Sequence, residues 1–301
     1  MSDTMQVFDR TAKRRQRQRV SGRAGDFDFL RAAVAERLLD RLDDIRRSFP
    51  LALVQGCDAA WLQSQLGARG QVERLVSMDS VGGPGAHLGL HAVGDEEFLP
   101  FAEGRFDLVI ALLNLHWVND LPGALIQIRR VLKPDGLFLG AMLGGSTLNE
   151  LRQSWLAAEA EIEGGASPRV SPMAETLDGA ALLQRAGFAL PVADSEIIPV
   201  SYGDAFGLMR DLRGMGETNA ILGRRKAFTR RTTLLRMVEL YQQRFAGPDG
   251  RIPATFEMIA LTGWSPHESQ QKPLRPGQAT HRLADALGTV AHPIGGPLKP
   301  N

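Results

Sequence analysis

Several acidic side chains and one polar loop stand where a nucleotide could be held. Asp79 closes the apolar run from Val72 to Met78 and lies 23 residues beyond Gly56. A carboxylate at that distance past a glycine turn can accept two O–H groups at once, which is how nucleotide-binding α/β proteins hold ribose. A turn aspartate that merely ends a strand would look the same. Asp95-Glu96-Glu97-Phe98-Leu99-Pro100-Phe101 offers carboxylates for the exocyclic amine of adenine and apolar side chains to cover its ring. Asn114-Leu115-His116-Trp117-Val118-Asn119-Asp120 is a polar and aromatic loop of the kind that carries ligands at strand ends. The six histidines include no His-x-Asp or His-x-Glu pair, so no 2-His-1-carboxylate iron site is legible and no metal is expected. The single cysteine, Cys57, excludes an internal disulfide and any Cys-pair zinc site, which makes a reducing compartment the default.

These residues need strands and helices to position them. Leu51-Ala52-Leu53-Val54, stopped by Gly56, reads as a strand buried on both faces, and so do Val72 to Met78, Phe106 to Leu113 and Gly136 to Leu143. Leu90 to Val93 is a shorter strand. Helical periodicity runs from Phe27 to near Phe49-Pro50, from Asp58 to Leu66 and from Asp120 to Leu132. This alternation predicts an α/β, mostly parallel twisted sheet with helices on both faces and ligands at the carboxyl ends of its strands. Beyond Gly144-Gly145 the pattern is more helical: Thr147 to Gly164, Asp178 to Ala186, Asp204 to Leu212 and Thr229 to Phe245. Strands at Ile197 to Val200 and Ala254 to Leu261 would form an antiparallel edge hairpin, with 204–250 as a helical insertion.

With 301 residues, 44% of them apolar and 23% charged, the chain has the composition of a globular protein with a full core. The organisation expected is a basic arm and lid helix (1–49), one domain (50–264) and a polar, Pro- and Gly-rich tail (265–301). The longest apolar run, Leu108 to Leu113, falls far short of the roughly 20 residues that span a bilayer, and no apolar leader follows Met1. Charge is uneven. Residues 1–23 carry seven cations against Asp3 and Asp9, a net +5, and the remainder is −4. Such an arm reads as a solvated helix with a basic face; contact with nucleic acid or anionic lipid, or an organelle-targeting peptide, are other uses of the same charge. No aromatic residue interleaves with the arginines, so nucleic acid is not an expected partner, and membrane contact is expected to be peripheral at most.

The glycine turn, the acid after the second strand, Asp95 to Phe101, Phe106-Asp107-Leu108-Val109 and Leu132-Lys133-Pro134-Asp135-Gly136, taken in order, resemble a class I S-adenosylmethionine-dependent methyltransferase. More narrowly the chain is similar to the methyltransferase-fold assembly factors of respiratory complex I, whose mitochondrial member is described as a protein arginine hydroxylase. The matching pieces include Phe8-Asp9-Arg10, Leu115 to Pro122, Gly140-Ala141-Met142, Gly214-Met215-Gly216-Glu217, Pro253-Ala254-Thr255, Gly263-Trp264 and His267-Glu268-Ser269-Gln270. The malonyl-carrier-protein methyltransferase of biotin synthesis is a more distant relative, sharing the Gly-rich loop near 214–219.

The resemblance implies a Rossmann-like class I methyltransferase fold and S-adenosylmethionine as cofactor, held by Gly56, Cys57, Asp58, Asp79, Asp95, Glu96 and Asn114. His116 is then the candidate base. Glu217 would pair bidentately with a substrate guanidinium, and Trp117, Asn219, Trp264 and His267 would line or close the substrate side. The implied partner is a complex I subunit near the quinone site, in the cytoplasm of a bacterium or in the mitochondrial matrix. One departure bears on the cofactor. Where relatives read Asp-x-Gly-x-Gly-x-Gly, this chain reads Val54-Gln55-Gly56-Cys57-Asp58-Ala59-Ala60, and an anionic Asp58 in the second glycine position would repel a ligand carboxylate. A methyltransferase acting on a small molecule or acyl carrier, and a catalytically silent partner-binding module, are the competing readings.

Overall fold

The computed structural model describes residues 6–21, 27–56, 59–82 and 90–271, without the side chains of residues 59–61 and 63. The chain divides into Met1–His267 and Glu268–Asn301. Of the second unit, residues 268–271 are described and include a turn. The first unit holds the arm as well as the sheet.

Seven strands form one sheet: β1 (Phe49–Gln55), β2 (Val72–Asp79), β3 (Leu90–Val93), β4 (Phe106–Leu112), β5 (Leu132–Leu143), β6 (Ala189–Tyr202) and β7 (Ile252–Trp264), in the order β3-β2-β1-β4-β5-β7-β6. The first five run parallel, and β7 is antiparallel to both of its neighbours. Eight α-helices accompany them among the described residues: α1 (Arg10–Val20), α2 (Phe29–Asp43), α3 (Ala59–Arg69), α4 (Leu121–Val131), α5 (Asn149–Glu163), α6 (Thr176–Arg185), α7 (Ala205–Gly214) and α8 (Arg231–Phe245).

Side-chain alternation along β4 sorts the two faces. Leu108, Ile110 and Leu112 join Val34 and Leu38 of α2, Leu62 of α3 and Leu240 of α8 in one core cluster. Val109 and Ala111 face the other way, onto Leu125 and Ile128 of α4 and Leu183 of α6. Each fully buried Leu or Ile contributes roughly 2 kcal/mol, so both faces must stay covered, and the strands read as continuous apolar runs. Helix α4 begins where Asp120 accepts the Gly123 N–H (2.9 Å), with Pro122 in its first turn.

Two boundaries differ most from the sequence expectation, while β5 starts four residues earlier, at Leu132, and β7 runs over Ile252–Trp264. Helix α2 ends at Asp43, because Phe49 and Pro50 already belong to β1. The edge strand β6 runs for 14 residues rather than the four from Ile197 to Val200. Its polar positions Asp194, Ser195 and Glu196 hide the strand pattern. Pro191 and Pro199 are tolerated because one side of an edge strand needs no N–H donors, and the register shifts between Ala189 and Val192. Helices α7 and α8 form the insertion between β6 and β7.

Candidate functional site

Asp79 and Gly56 meet because β1 and β2 are parallel neighbours whose carboxyl ends lie side by side. The turn after β1 is tight. Gly56 has φ +83°, and a Cβ there would lie 2.4 Å from the Leu112 carbonyl oxygen and 2.8 Å from the Asn114 Cβ. Ser80, Val93, Gly94, Asp95, Glu96 and Asn114 at this end of the sheet wall a cleft of about 400 Å³, and Arg17, which also lines it, pairs with Asp79 and the Gly56 carbonyl, neither of which lines the cleft. Cys57 and Asp58 lie outside the described residues. Asn114 donates from Nδ2 to Gln55 Oε1 (3.4 Å), while Asn114 Oδ1 and Gln55 Nε2, both buried, have no hydrogen-bond partner. Both atoms lie beneath the accessible surface.

The roof is the basic arm. Arg10, Lys13 and Arg17 recur at three and four residues on one face of α1, and that face is turned inward. Arg17 donates to the Asp79 carboxylate and to the Gly56 carbonyl (3.2 Å). Arg10 reaches Asp95 (2.6 Å), Glu96 (2.5 Å) and the Trp117 carbonyl (3.1 Å). The arm is pinned in front of the helix, where Asn119 Oδ1 accepts the N–H groups of Val7 and Phe8 (2.8 Å each) and Asp9 pairs with Arg224 (2.9 Å). The expected solvated basic face is thus corrected: buried carboxylates attract these three cations, and the exposed arginines are Arg14, Arg15 and Arg19. Burial raises the Asp79 carboxyl, but the Arg17 guanidinium outweighs it and holds the pKa below the ordinary value.

Lys13 and Glu217 form the partition between this cleft and a second one. Lys13 Nζ donates to Glu217 Oε1 (2.9 Å) and to the Gly216 carbonyl (2.8 Å), and lies 3.9 Å from the centre of the Trp117 ring. Trp117 Nε1 donates to Glu217 Oε2 (2.6 Å), and His116 Nε2 lies 3.3 Å from the same oxygen. Burial pushes the Lys13 ammonium down to about 8, although Glu217 opposes it. Burial raises the Glu217 carboxyl, yet Lys13 and His116 together keep it ionised, well below the usual carboxylate range. Trp117 borders both clefts. The second cleft, of about 320 Å³, is lined by Glu217, Asn219, Leu151 and Trp155 and by arginines that include Arg169 and Arg224.

Four expectations need correction. His116 was expected to face the cleft as a base, but its side chain is 1% exposed, and Leu143 N–H points at Nδ1 (3.5 Å). Nε2 is then the protonated nitrogen, donating to Glu217, and burial lowers the ring's pKa. His116 buttresses Glu217. Bidentate pairing of Glu217 with a guanidinium is not available either, because both its oxygens already accept; three donors on about four lone-pair sites leave room for one more N–H. Asn219 lines the second cleft, but its side chain holds the loop, donating to the Pro168 carbonyl (2.7 Å) and accepting from Ile221 N–H (2.9 Å). Trp264 pairs with Leu137 at the amino end of β5, because β7 runs antiparallel, and exposed His267 follows three residues later. Neither is brought to the clefts. Arg10, Lys13 and Arg17 were missed as site residues; their spacing was the available signal.

This architecture defines the class I methyltransferase fold, and residues 66–140 match the family described as methyltransferase domain. Two solved structures share the fold: a putative methyltransferase from Bacillus halodurans (TM-score 0.51, 16% identity) and the YcgJ protein from Bacillus subtilis (0.52, 15%), each covering 77% of this chain and 99% of the other. Sequence relatives go further. Arginine-hydroxylase NDUFAF5, mitochondrial, is 43% identical in Danio rerio (93% of this chain, 89% of that one) and 42% identical in Homo sapiens (95% and 85%). A malonyl-[acyl-carrier protein] O-methyltransferase from Methylovorus sp. is 34% identical over 94% of this chain and 95% of its own length. The chain belongs to the arginine-hydroxylase NDUFAF5 family.

Proposed function

We propose that this chain is a protein-modifying enzyme of the arginine-hydroxylase type that assists assembly of respiratory complex I, acting on an arginine of a subunit near the quinone site. The observation that carries the reading is the pair of clefts that meet at Trp117, Lys13 and Glu217, one at the carboxyl end of the parallel strands and one lined by Leu151, Trp155 and Asn219. The mitochondrial relatives support the matrix as its place of action in a eukaryote, and the bacterial methyltransferase relative supports the cytoplasm in a bacterium.

The first cleft fits S-adenosylmethionine by its donor set. Asp95, Glu96 and Asn114 line it at the positions for adenine and the ammonium region, and Asp79, paired with Arg17, stands at the position for ribose. When bound, S-adenosylmethionine would supply an electrophilic methyl group on a sulfonium, which is methyl-transfer chemistry; hydroxylation of an arginine additionally requires dioxygen and two reducing electrons as co-reactants, one oxygen atom going to the C–H bond and the other leaving as water. The chain's own part is to bind and orient. Arg17 and Arg10 must yield the carboxylates to the ligand's hydroxyl and amine groups, buried Trp117, with Lys13 over its ring and Phe8 at 5.3 Å, holds Glu217 in place, and Glu217 offers one remaining acceptor site. Lys13, with a pKa near neutrality, can hold or release a proton beside that site.

Calorimetry with S-adenosylmethionine tests the cofactor: Asp79→Ala should weaken binding by about 1–3 kcal/mol, and unchanged affinity removes Asp79 from the site. Glu217→Gln should leave that affinity nearly intact while impairing modification of the quinone-site subunit, read by mass spectrometry of that subunit with and without the gene. Identical arginines in both refute the hydroxylase reading, and reduced complex I would then favour a silent assembly module. A second reading, methyl transfer to an acidic acyl-carrier substrate, is supported by the malonyl-[acyl-carrier protein] O-methyltransferase relative and by Arg213 in the second cleft, whose other arginines Arg169, Arg224 and Arg225 pair with Glu159, Asp9 and Glu163.

A further inference from the structure

Between Glu217 and Glu239 the chain has 21 residues with no acid and six cations, and five of these cluster in Arg224-Arg225-Lys226-Ala227-Phe228-Thr229-Arg230-Arg231. The base of this loop is fixed. Ile221 bridges to Phe8, Arg224 pairs with Asp9, Arg225 with Glu163, and Thr229 Oγ1 accepts from Arg169 (2.9 Å). The outer part carries a different chemistry. Phe228 is 100% exposed, and Lys226, Arg230 and Arg231 are exposed with no acid within ion-pair distance among the described residues. Leu222 (39% exposed) flanks the loop, and Leu235 (48%) lies one turn beyond Arg231 on the same face of α8.

A phenyl ring left wholly in water, on a rigidly based loop among exposed cations, joins the two attractions that bind a protein to an anionic bilayer: an aromatic group for the interface and cations for lipid phosphates. We infer that loop 222–231 is a peripheral docking element for an anionic lipid surface. A protein partner fits less well. Aromatic anchors of protein interfaces seat in packed pockets among geometrically matched pairs, whereas here one ring projects alone and the cations are spread around it. The assignment moves membrane contact from the arm, whose Arg10, Lys13 and Arg17 are spent inside the molecule, to the insertion. Because Arg224 and Arg225 also line the second cleft, docking through this loop turns the cleft's rim toward the lipid surface. The inference does not depend on which ligands the clefts take.

Sedimentation of the full chain with vesicles tests it. Binding is expected to phosphatidylcholine vesicles that contain phosphatidylglycerol, not to phosphatidylcholine alone, and to fall as salt is raised. Phe228→Ser should weaken partitioning about tenfold, and the triple variant Lys226→Glu, Arg230→Glu, Arg231→Glu should abolish it. Each replaces exposed side chains, so thermal unfolding should match the parent. The arm variant Arg14→Glu, Arg15→Glu, Arg19→Glu should still bind. Equal binding to neutral vesicles, full binding by the loop variants, or a loss in the arm variant as large as in the loop variant would each overturn the inference. So would capture of an acidic protein through Phe228 without any vesicle binding.

Discussion

Replacing Arg17 by Met would strip the guanidinium from Asp79 while keeping most of the apolar stem. The two side chains are 11% and 15% exposed, so the carboxylate would be left unpaired in a nearly closed site. Removing one partner of such a pair costs about 3–5 kcal/mol, and the lost bond to the Gly56 carbonyl adds about 1 kcal/mol. For a unit of this size the melting temperature should fall by roughly 10 °C. The double variant Arg17→Met, Asp79→Asn should recover much of that, because no buried charge remains. The pH dependence has a definite sign. In the parent the folded Asp79 pKa lies below 3.8, so its contribution is present above that value and is lost as pH falls through the folded pKa. In Arg17→Met burial is opposed by the Ser80 hydroxyl and the Val81 N–H but no longer by the guanidinium, so the carboxyl rises from its parent value and the penalty is relieved as acid protonates it. The stability gap should therefore be widest at neutral pH and close below the ordinary aspartate value. Denaturant titrations across that range measure it. A gap that is absent, or that does not change with pH, refutes the assignment of a buried, functionally placed Arg17–Asp79 pair.

Arg17→Met also removes a competitor for Asp79, so S-adenosylmethionine should bind the variant more tightly by calorimetry; weaker binding would mean that Arg17 itself contacts the ligand. Lys13 lies against the Trp117 ring, so tryptophan fluorescence should titrate with a pKa of about 8, and the transition should vanish in Lys13→Met. Between that value and 10.5 the unfolded chain holds the extra lysine proton, so the Lys13 contribution to stability rises with pH. Gly56→Ala and Gly70→Ala both place a Cβ at positive φ, but only the first meets an atom within 4 Å. Gly70→Ala should cost about 1 kcal/mol and Gly56→Ala clearly more, as read by thermal unfolding. Equal losses would show that the close approach to Leu112 and Asn114 costs nothing.

Much of the frame and part of the site followed from the sequence by itself. The strands of the parallel half are continuous apolar runs ended by glycine or acid, and such runs have few alternatives once helices cover both faces. The placing of Asp79, Asp95, Glu96 and Asn114 at the carboxyl ends of the parallel strands was legible for the same reason: a residue that ends or follows a parallel strand there must stand at that edge of the sheet. What only the tertiary structure decided depends on partners far along the chain. Arg17 meets Asp79 across 62 residues, Arg10 meets Asp95 across 85 and Lys13 meets Glu217 across 204. Local periodicity could group these cations on one helical face but could not say whether that face met water or carboxylates. Trp264 and His116 teach the same lesson. The antiparallel direction of β7 carries Trp264 to the amino end of the sheet, and the close approach of β5 to the loop after β4 turns His116 toward a backbone N–H. Both outcomes are set by strand direction and packing between distant segments, which no local pattern of residues encodes.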